Sequence, residues 1–464
     1  MLQLIKESKT PYYVQIYEYY RLEIEQQRMI AGMRLPSVRE LAQQAGVSKM
    51  TVEKAYYQLA SEGYITRRCK ARYEVAFVRP QQENGADGRS SSFHVALRQS
   101  WLYDFGSGDM DMERFPLDIW RKHMNKVLSE PAYLTACNDE QGVPDLRSAL
   151  SQYAYEVRGV HARPEHIIIG AGTASLLGML TTLLRSSRLC IAVENPGFRL
   201  GRELFRNIGY DIVPISIHKG MLDMDALTAS DARLIYVSPS HQFPTGTVMP
   251  IGMRQRLLQW AEERDGMIIE DDYDSELRYY GKPVPALQGL DTSGRVIYMG
   301  ALSKVLPFFV RISYMVLPPR LMMAYHRQRG LFRQGASVPE QCVLAAYIQS
   351  GELSRQIRRL RKDYQEKGAL MEQFLTEAFG QQMEVSRIES GVYCHVSLRS
   401  SYGEAELLRR AEAQGCRVLA VQPFYEVPAQ EERKEFLLSF SKIPSQKLKQ
   451  AVMALRLAWR EEER

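Results

Sequence analysis

No two of the six cysteines, at positions 69, 137, 190, 342, 394 and 416, form a CxxC pair. That spacing excludes a disulfide frame and a thiolate zinc site, and no metal centre is expected; the thiols are read as free, in a reducing cytoplasm. No uninterrupted apolar run reaches the ~20 residues that cross a bilayer. The N-terminus lacks the basic-then-apolar pattern of a secretory signal, so no membrane partner is expected. There is no internal repeat, and polar low-complexity sequence is confined to one stretch after residue 78.

What is present is ordinary in bulk and uneven in detail. The 464 residues are 45% hydrophobic and 25% charged, enough for a large core and more than one domain. Residues 1–78 hold twelve Lys/Arg against eight Asp/Glu, so about +4 of the net +6 sits there. A basic small end on a near-neutral body suits nucleic-acid binding at that end.

Within that end, apolar and aromatic residues at helical spacing predict an amphipathic helix from Pro11 to Ile30. Ser37, with Glu40 three residues on, is a capping box that opens a second helix, which stops at Gly46. Ser48 caps a third helix, reaching about Glu62, with Val52, Ala55, Tyr56 and Leu59 as its buried stripe. Two short helices joined at a glycine make a helix-turn-helix. Its last helix would present Ser48, Lys49, Met50 and Thr51 to base edges of double-stranded DNA. Arg39 is placed to reach a phosphate or a guanine. Gly63–Thr66 and Tyr73–Phe77 read as wing strands, with Arg67, Arg68, Lys70 and Arg72 between them to meet the duplex backbone or minor groove. Residues 79–103 read as a flexible linker, and 104–464 as one large domain.

In that domain helix-like and strand-like stretches alternate, which predicts an α/β fold with a mainly parallel sheet. Several strands end in residues with chemistry to offer. After Ile167–Gly170, Gly172 and Thr173 open a helix whose N–H groups can hold a phosphate. Phe198 follows the strand at 189–194; it is either core or a stacking ring. Met267–Glu270 runs into Asp271 and Tyr273, while Asp274 and Glu276 read as a solvated acidic loop. Between Val296–Met299 and Arg311–Leu317 sit Ser303, Lys304 and Arg311. A lysine there is either a solvent-facing loop residue or an amine whose pKa is lowered by burial, able to form a Schiff base beside a phosphate clamp of Ser303 and Arg311. Pyridoxal 5′-phosphate (PLP) needs that pairing.

Residues 10–78 resemble the winged-helix domain of the GntR family of bacterial regulators, on the run Arg34–Ala42, on Gly46–Val52 and on Ala55–Ile65. In that family the positions of Arg39, Ser48, Lys49 and Thr51 are DNA contacts. Glu53 and the wing tip Cys69–Arg72 depart from the pattern. From Asp104 onward the chain resembles fold-type-I aminotransferases. That resemblance implies PLP held by Lys304 as a Schiff base, Asp271 at the pyridine nitrogen and Tyr273 at the 3-oxygen. It also implies Phe198 stacked on the ring, and Gly172, Thr173, Ser303 and Arg311 on the phosphate. Together the two halves resemble the MocR subgroup, whose members are PLP-dependent regulators forming head-to-tail homodimers.

Some positions depart from a working transaminase. Phe243 stands where an asparagine would bond the 3-oxygen, leaving Gln242 or His241 to serve, and Cys137 replaces a tyrosine that reaches the partner's phosphate. Leu437 replaces the carboxylate-gripping arginine, and Leu200 a second such arginine; Arg199 and Arg433 lie nearby. The expectation is a transcription regulator sensing a vitamin B6 species or an amino compound, the alternative an active aminotransferase carrying a DNA-binding domain.

Overall fold

The computed structural model describes residues 4–5, 10–26, 28–66, 72–76, 101–132, 139–184, 190–281, 284–427 and 433–461. Contacts divide the chain into one unit up to residue 98 and another from residue 99.

The first unit holds helices α1 (Tyr12–Glu25), α2 (Val38–Ala45) and α3 (Lys49–Ser61), then strands β1 (Ile65–Thr66) and β2 (Glu74–Val75), paired antiparallel. The capping box forms in full: Ser37 Oγ accepts from the Glu40 N–H, and the Glu40 carboxylate accepts from the Ser37 N–H. Gly46 ends α2 at φ 65°, a left-handed conformation that costs glycine little. Ile16, Tyr20, Ile24, Val52, Tyr56, Leu59 and Val75 close one core. Burying such side chains contributes roughly 1.5–3 kcal/mol each. Tyr56 packs edge-on against Tyr20 and Tyr73 and donates to the Pro36 carbonyl at 3.0 Å. The first helix stops five residues short of the predicted Ile30. Ile30 is exposed, so no burial rewards a longer helix. Wing residues 67–71 and the linker up to residue 100 lie outside the described residues.

The second unit opens with β3 (Tyr103–Asp104) and centres on an eight-stranded sheet. In chain order its strands are β4 (Ile167–Gly170), β5 (Cys190–Asn195), β6 (Asp211–His218), β7 (Met221–Leu222), β8 (Leu234–Val237), β9 (Met267–Asp272), β10 (Val296–Ala301) and β11 (Ser313–Val316). Their spatial order is β4-β11-β10-β9-β8-β5-β6-β7. Strands β10, β9, β8, β5 and β6 run parallel, and β11 runs antiparallel to both its neighbours, so β4 shares the direction of β10. Every residue of β4, β8, β10 and β11 is buried, as expected where both sheet faces are covered. Farther along come β12 (Met383–Val385), β13 (Tyr393–Leu398), β14 (Cys416–Arg417), β15 (Leu419–Ala420) and β16 (Lys434–Ser439). Four of them form an antiparallel sheet in the order β12-β13-β16-β15, while β14 pairs with β3. The fold is thus the expected α/β body behind a helix-turn-helix.

Ser37→Ala removes the cap acceptor of α2 and should lower local stability by about 1 kcal/mol. Hydrogen exchange of the amides of residues 38–45 in the full chain reads this as faster exchange there, with the second unit unchanged.

Candidate functional site

Parallel strands put their carboxyl ends on one sheet edge, where ligands of open α/β sheets bind. Gly172, Phe198, His241, Tyr273 and Lys304 follow β4, β5, β8, β9 and β10 in turn, and Arg311 arrives at the same edge because it enters the antiparallel β11. Gly172 has φ 92° and precedes the helix Thr173–Leu183. A Cβ built on it would lie 3.0 Å from Arg311 Nη2, so backbone N–H groups and a guanidinium converge. That is an anion cradle. Thr173 is half-buried beside it, and Ser303 is exposed on the loop after β10.

Lys304 is partly buried. Its Nζ donates to the Gly108 carbonyl at 3.0 Å and lies 5.4 Å from the centre of the Tyr393 ring. Burial pulls the amine's pKa down, against the opposing pull of Asp274 and Asp109. Position 108 has to be glycine: a Cβ there would lie 2.1 Å from the Tyr393 hydroxyl. Asp109 is occupied by Lys442 at 3.0 Å and by the Ser107 hydroxyl at 2.8 Å.

Side-chain alternation sends the adjacent acids of β9 to opposite faces. Asp271 accepts from the Tyr236 hydroxyl, and Phe198 stacks on Tyr236 with centroids 5.9 Å apart. Among the described residues no cation touches Asp271. Burial pushes its carboxyl up to about 7, partly offset by the Tyr236 hydrogen bond. Asp272 points the other way, to Arg158 at 2.7 Å and the Tyr298 hydroxyl at 2.7 Å. Glu194 accepts from the Ser238 N–H and from Gln242 Nε2 through Oε2, while Oε1 has no hydrogen-bond partner. Burial raises it to about 8.

The reading of Asp274 and Glu276 as a solvated loop is wrong. They are 1% and 5% exposed. The chain turns inward at Ser275–Leu277, and Glu276 meets the Tyr153 hydroxyl at 3.2 Å. Asp274 holds His241 Nδ1 at 2.7 Å, and the Tyr273 hydroxyl lies 3.1 Å from the same nitrogen. The stand-ins for the missing asparagine separate here. Gln242 is spent on its own loop, bonding the Pro196 and Phe243 carbonyls and Thr245, and is 1% exposed. His241 remains beside Tyr273. Leu437 is buried, and Leu200 and Arg199 are exposed. Arg433 is held by Glu384, away from this edge. Cys137 lies outside the described residues. Sequence reasoning missed Tyr236, Gly108 and Tyr393. Only the register between strands reveals Tyr236, whose β8 position shares a face with Asp271.

In the first unit Arg39, Lys49 and Met50 are exposed, Met50 to 76%. The Ser48 hydroxyl caps α3, lying 3.2 Å from the Thr51 N–H and 2.8 Å from the Thr51 hydroxyl, and Thr51 is half-buried. Arg72, expected at the duplex backbone, pairs with Glu40 at 2.7 Å. Tyr57, 75% exposed two turns beyond Met50, is a further surface group that the sequence reading did not single out.

A helix-turn-helix unit ahead of a mainly parallel sheet with lysine, acid and anion cradle at one edge defines a DNA-binding protein with an aminotransferase-type body. Family models agree: "Bacterial regulatory proteins, gntR family" matches residues 12–75, and "Aminotransferase class I and II" matches residues 102–455. The chain is 36% identical to the uncharacterized HTH-type transcriptional regulator YdeL of Bacillus subtilis, over 97% of each chain. It is 30% identical to the probable rhizopine catabolism regulatory protein MocR of Rhizobium meliloti, over 99% of this chain and 96% of that one. It is 31% identical to the pyridoxine biosynthesis transcriptional regulator PdxR of Corynebacterium glutamicum, over 78% of each. Among solved structures, Pyrococcus horikoshii kynurenine aminotransferase superposes with TM-score 0.69 at 23% identity, covering 82% of this chain and 96% of that one, a likeness of fold. The chain belongs to the MocR-type HTH transcriptional regulators, in which a gntR-family segment precedes an aminotransferase-like domain.

Glu194 has a folded pKa raised from 4.5 to about 8. The unfolded chain therefore binds fewer protons between those values, and stability falls as pH rises through that window. Glu194→Gln removes the titration, and denaturant unfolding from pH 5 to 9 should show a flatter decline than the wild type.

Proposed function

We propose that this chain is a PLP-dependent transcription regulator whose aminotransferase-like unit senses a vitamin B6 species or an amino compound. The observation that carries the reading is the desolvated Lys304 amine at the same sheet edge as the Gly172–Arg311 cradle and the uncompensated Asp271. These residues fit the cofactor. A buried carboxyl at about 7 lacks a cation, and a protonated ring nitrogen supplies one. Gly172, Thr173, Ser303 and Arg311 would hold the phosphate, Phe198, which packs on Tyr236, would cover the ring, and Tyr273, beside His241, would serve the 3-oxygen. When bound, PLP supplies an aldehyde for amine exchange and an electron sink.

The chain's own groups do the rest. Lys304 Nζ, whose pKa burial lowers, would be the amine that carries the cofactor and is displaced by an incoming amine. Asp271 would hold a proton on the ring nitrogen. Leu437 and Leu200 stand in place of arginines that would grip a substrate carboxylate bidentately, which favours sensing over turnover. Relatives named for pyridoxine biosynthesis and for rhizopine catabolism fit one sensing body tuned to different compounds.

Operator contact falls to Arg39, Ser48, Lys49, Met50 and Thr51, in a DNA-binding domain of residues 1–78 joined by a linker, 79–103, to the effector domain at 104–464. The regulator works in the cytoplasm as a head-to-tail homodimer, each winged helix resting on the partner's body. Effector binding moves the operator equilibrium only through different affinities for two conformations.

Mixing the purified protein with PLP should produce a visible absorbance band distinct from that of the free cofactor, absent in Lys304→Ala. A band that survives this substitution removes the amine from its role. Arg39→Ala should weaken operator binding by about 1–3 kcal/mol at fixed salt in a gel-shift titration, and unchanged affinity withdraws the contact. Sustained transfer to a keto acid at about 1 to 1000 per second would instead make the chain an enzyme.

A further inference from the structure

One buried phenol joins two walls of the pocket. Tyr236 lies on β8, between the strands that lead to Phe198 and carry Asp271. Register sets it opposite Val193 of β5 and opposite Ile269 of β9. Alternation then brings Asp271, two residues past Ile269, to the same face of the sheet. Tyr236 is 4% exposed, and its two contacts diverge. Its ring stacks on Phe198, with centroids 5.9 Å apart and planes 21° from parallel. Its hydroxyl donates to Oδ2 of Asp271, and Oδ1 remains for a second donor.

Burial fixes the direction of that hydrogen bond. A phenol has one proton to give. Burial, with Asp271 and Glu194 nearby, lifts its pKa well above the ordinary value, so Tyr236 stays a donor. The groups acting on Asp271 oppose one another. Burial and the neighbouring acids Asp272 and Asp274 disfavour its charge, and the Tyr236 hydroxyl favours it. Asp272 is itself paired with Arg158 on the other face of the strand.

A proton shared between a carboxyl and a pyridine nitrogen goes to whichever is the stronger base in place. A hydrogen bond donated to the carboxylate weakens it as a base and leaves the proton on nitrogen. Without that bond, a neutral acid beside a neutral ring avoids burying two charges.

We propose that Tyr236 is a positioning residue that acts through Asp271 to keep the cofactor's ring nitrogen protonated, while its own ring holds Phe198 in place. The proposal rests on PLP as the cofactor and names the residue that decides the charge of its ring.

The test uses full-length protein loaded with PLP carrying nitrogen-15 in the ring. The ring resonance is followed by NMR across pH in the wild type, Tyr236→Phe and Asp271→Asn. Tyr236→Phe keeps the stacking ring and loses only the hydroxyl. The pH at which the ring nitrogen gives up its proton should fall by about one unit or more, as for one lost hydrogen bond to a charged group. Asp271→Asn should hold the resonance at the unprotonated position. Site-specific 3-fluorotyrosine at position 236, a more acidic phenol and so a stronger donor, should move the midpoint the other way. This second substitution leaves the buried ring in place should Tyr236→Phe fail to fold.

A midpoint moved by Asp271→Asn but by neither change at position 236 overturns the role of Tyr236 and leaves the cofactor reading standing. A lower melting temperature in Tyr236→Phe with an unmoved midpoint makes the residue merely structural and likewise overturns the proposal. No bound resonance and no visible band in the wild type removes the cofactor reading, and the proposal with it.

Discussion

An amine taken out of water is the constraint on which the second unit depends. Lys304 sits against one carbonyl and one aromatic ring, with two acids acting from a distance. Desolvation disfavours its charged form and lowers its pKa. Holding it there requires a strand end, a close approach at Gly108 that no larger residue allows, and Tyr393 from the four-stranded sheet. Two sheets that are far apart in sequence therefore have to be built before this one residue has its chemistry.

The acids around the pocket divide by the same geometry. Asp272 is neutralised by Arg158, in a buried pair whose loss would strand an unpaired charge. Asp271 has a hydroxyl for company and no cation. Two neighbours in the chain, one face apart, thus differ in that one is paired with a cation and the other with a phenol. Asp274 divides its influence between His241, which it touches, and Lys304, whose charged form it favours.

At one sheet edge the structure brings together Gly172 with Arg311, the buried Asp271 and the Lys304 amine. Leucines stand at positions 200 and 437, and Gln242 is tied to Glu194 and the Pro196 carbonyl as well as to its own loop. On this chain a DNA-binding segment and an aminotransferase-like body are joined. The family to which the chain belongs joins those two parts.

Much of this was legible in the residues themselves, because the signals are local. The capping box at Ser37 and Glu40, the glycine stop at Gly46, the Ser48 cap and the all-apolar parallel strands act over a few residues, and backbone sterics and hydrogen bonding decide them. The order of strand ends carrying Gly172, Phe198, Asp271 and Lys304 is likewise written along the chain. Sequence did not reveal that Asp274 and Glu276 are buried, that Tyr236 bonds Asp271, or that Arg72 turns to Glu40. Those facts depend on strand register and on packing between segments up to hundreds of residues apart. An acid at a strand end looks the same in the chain whether it meets water, an arginine or a phenol, and only the folded neighbours decide which.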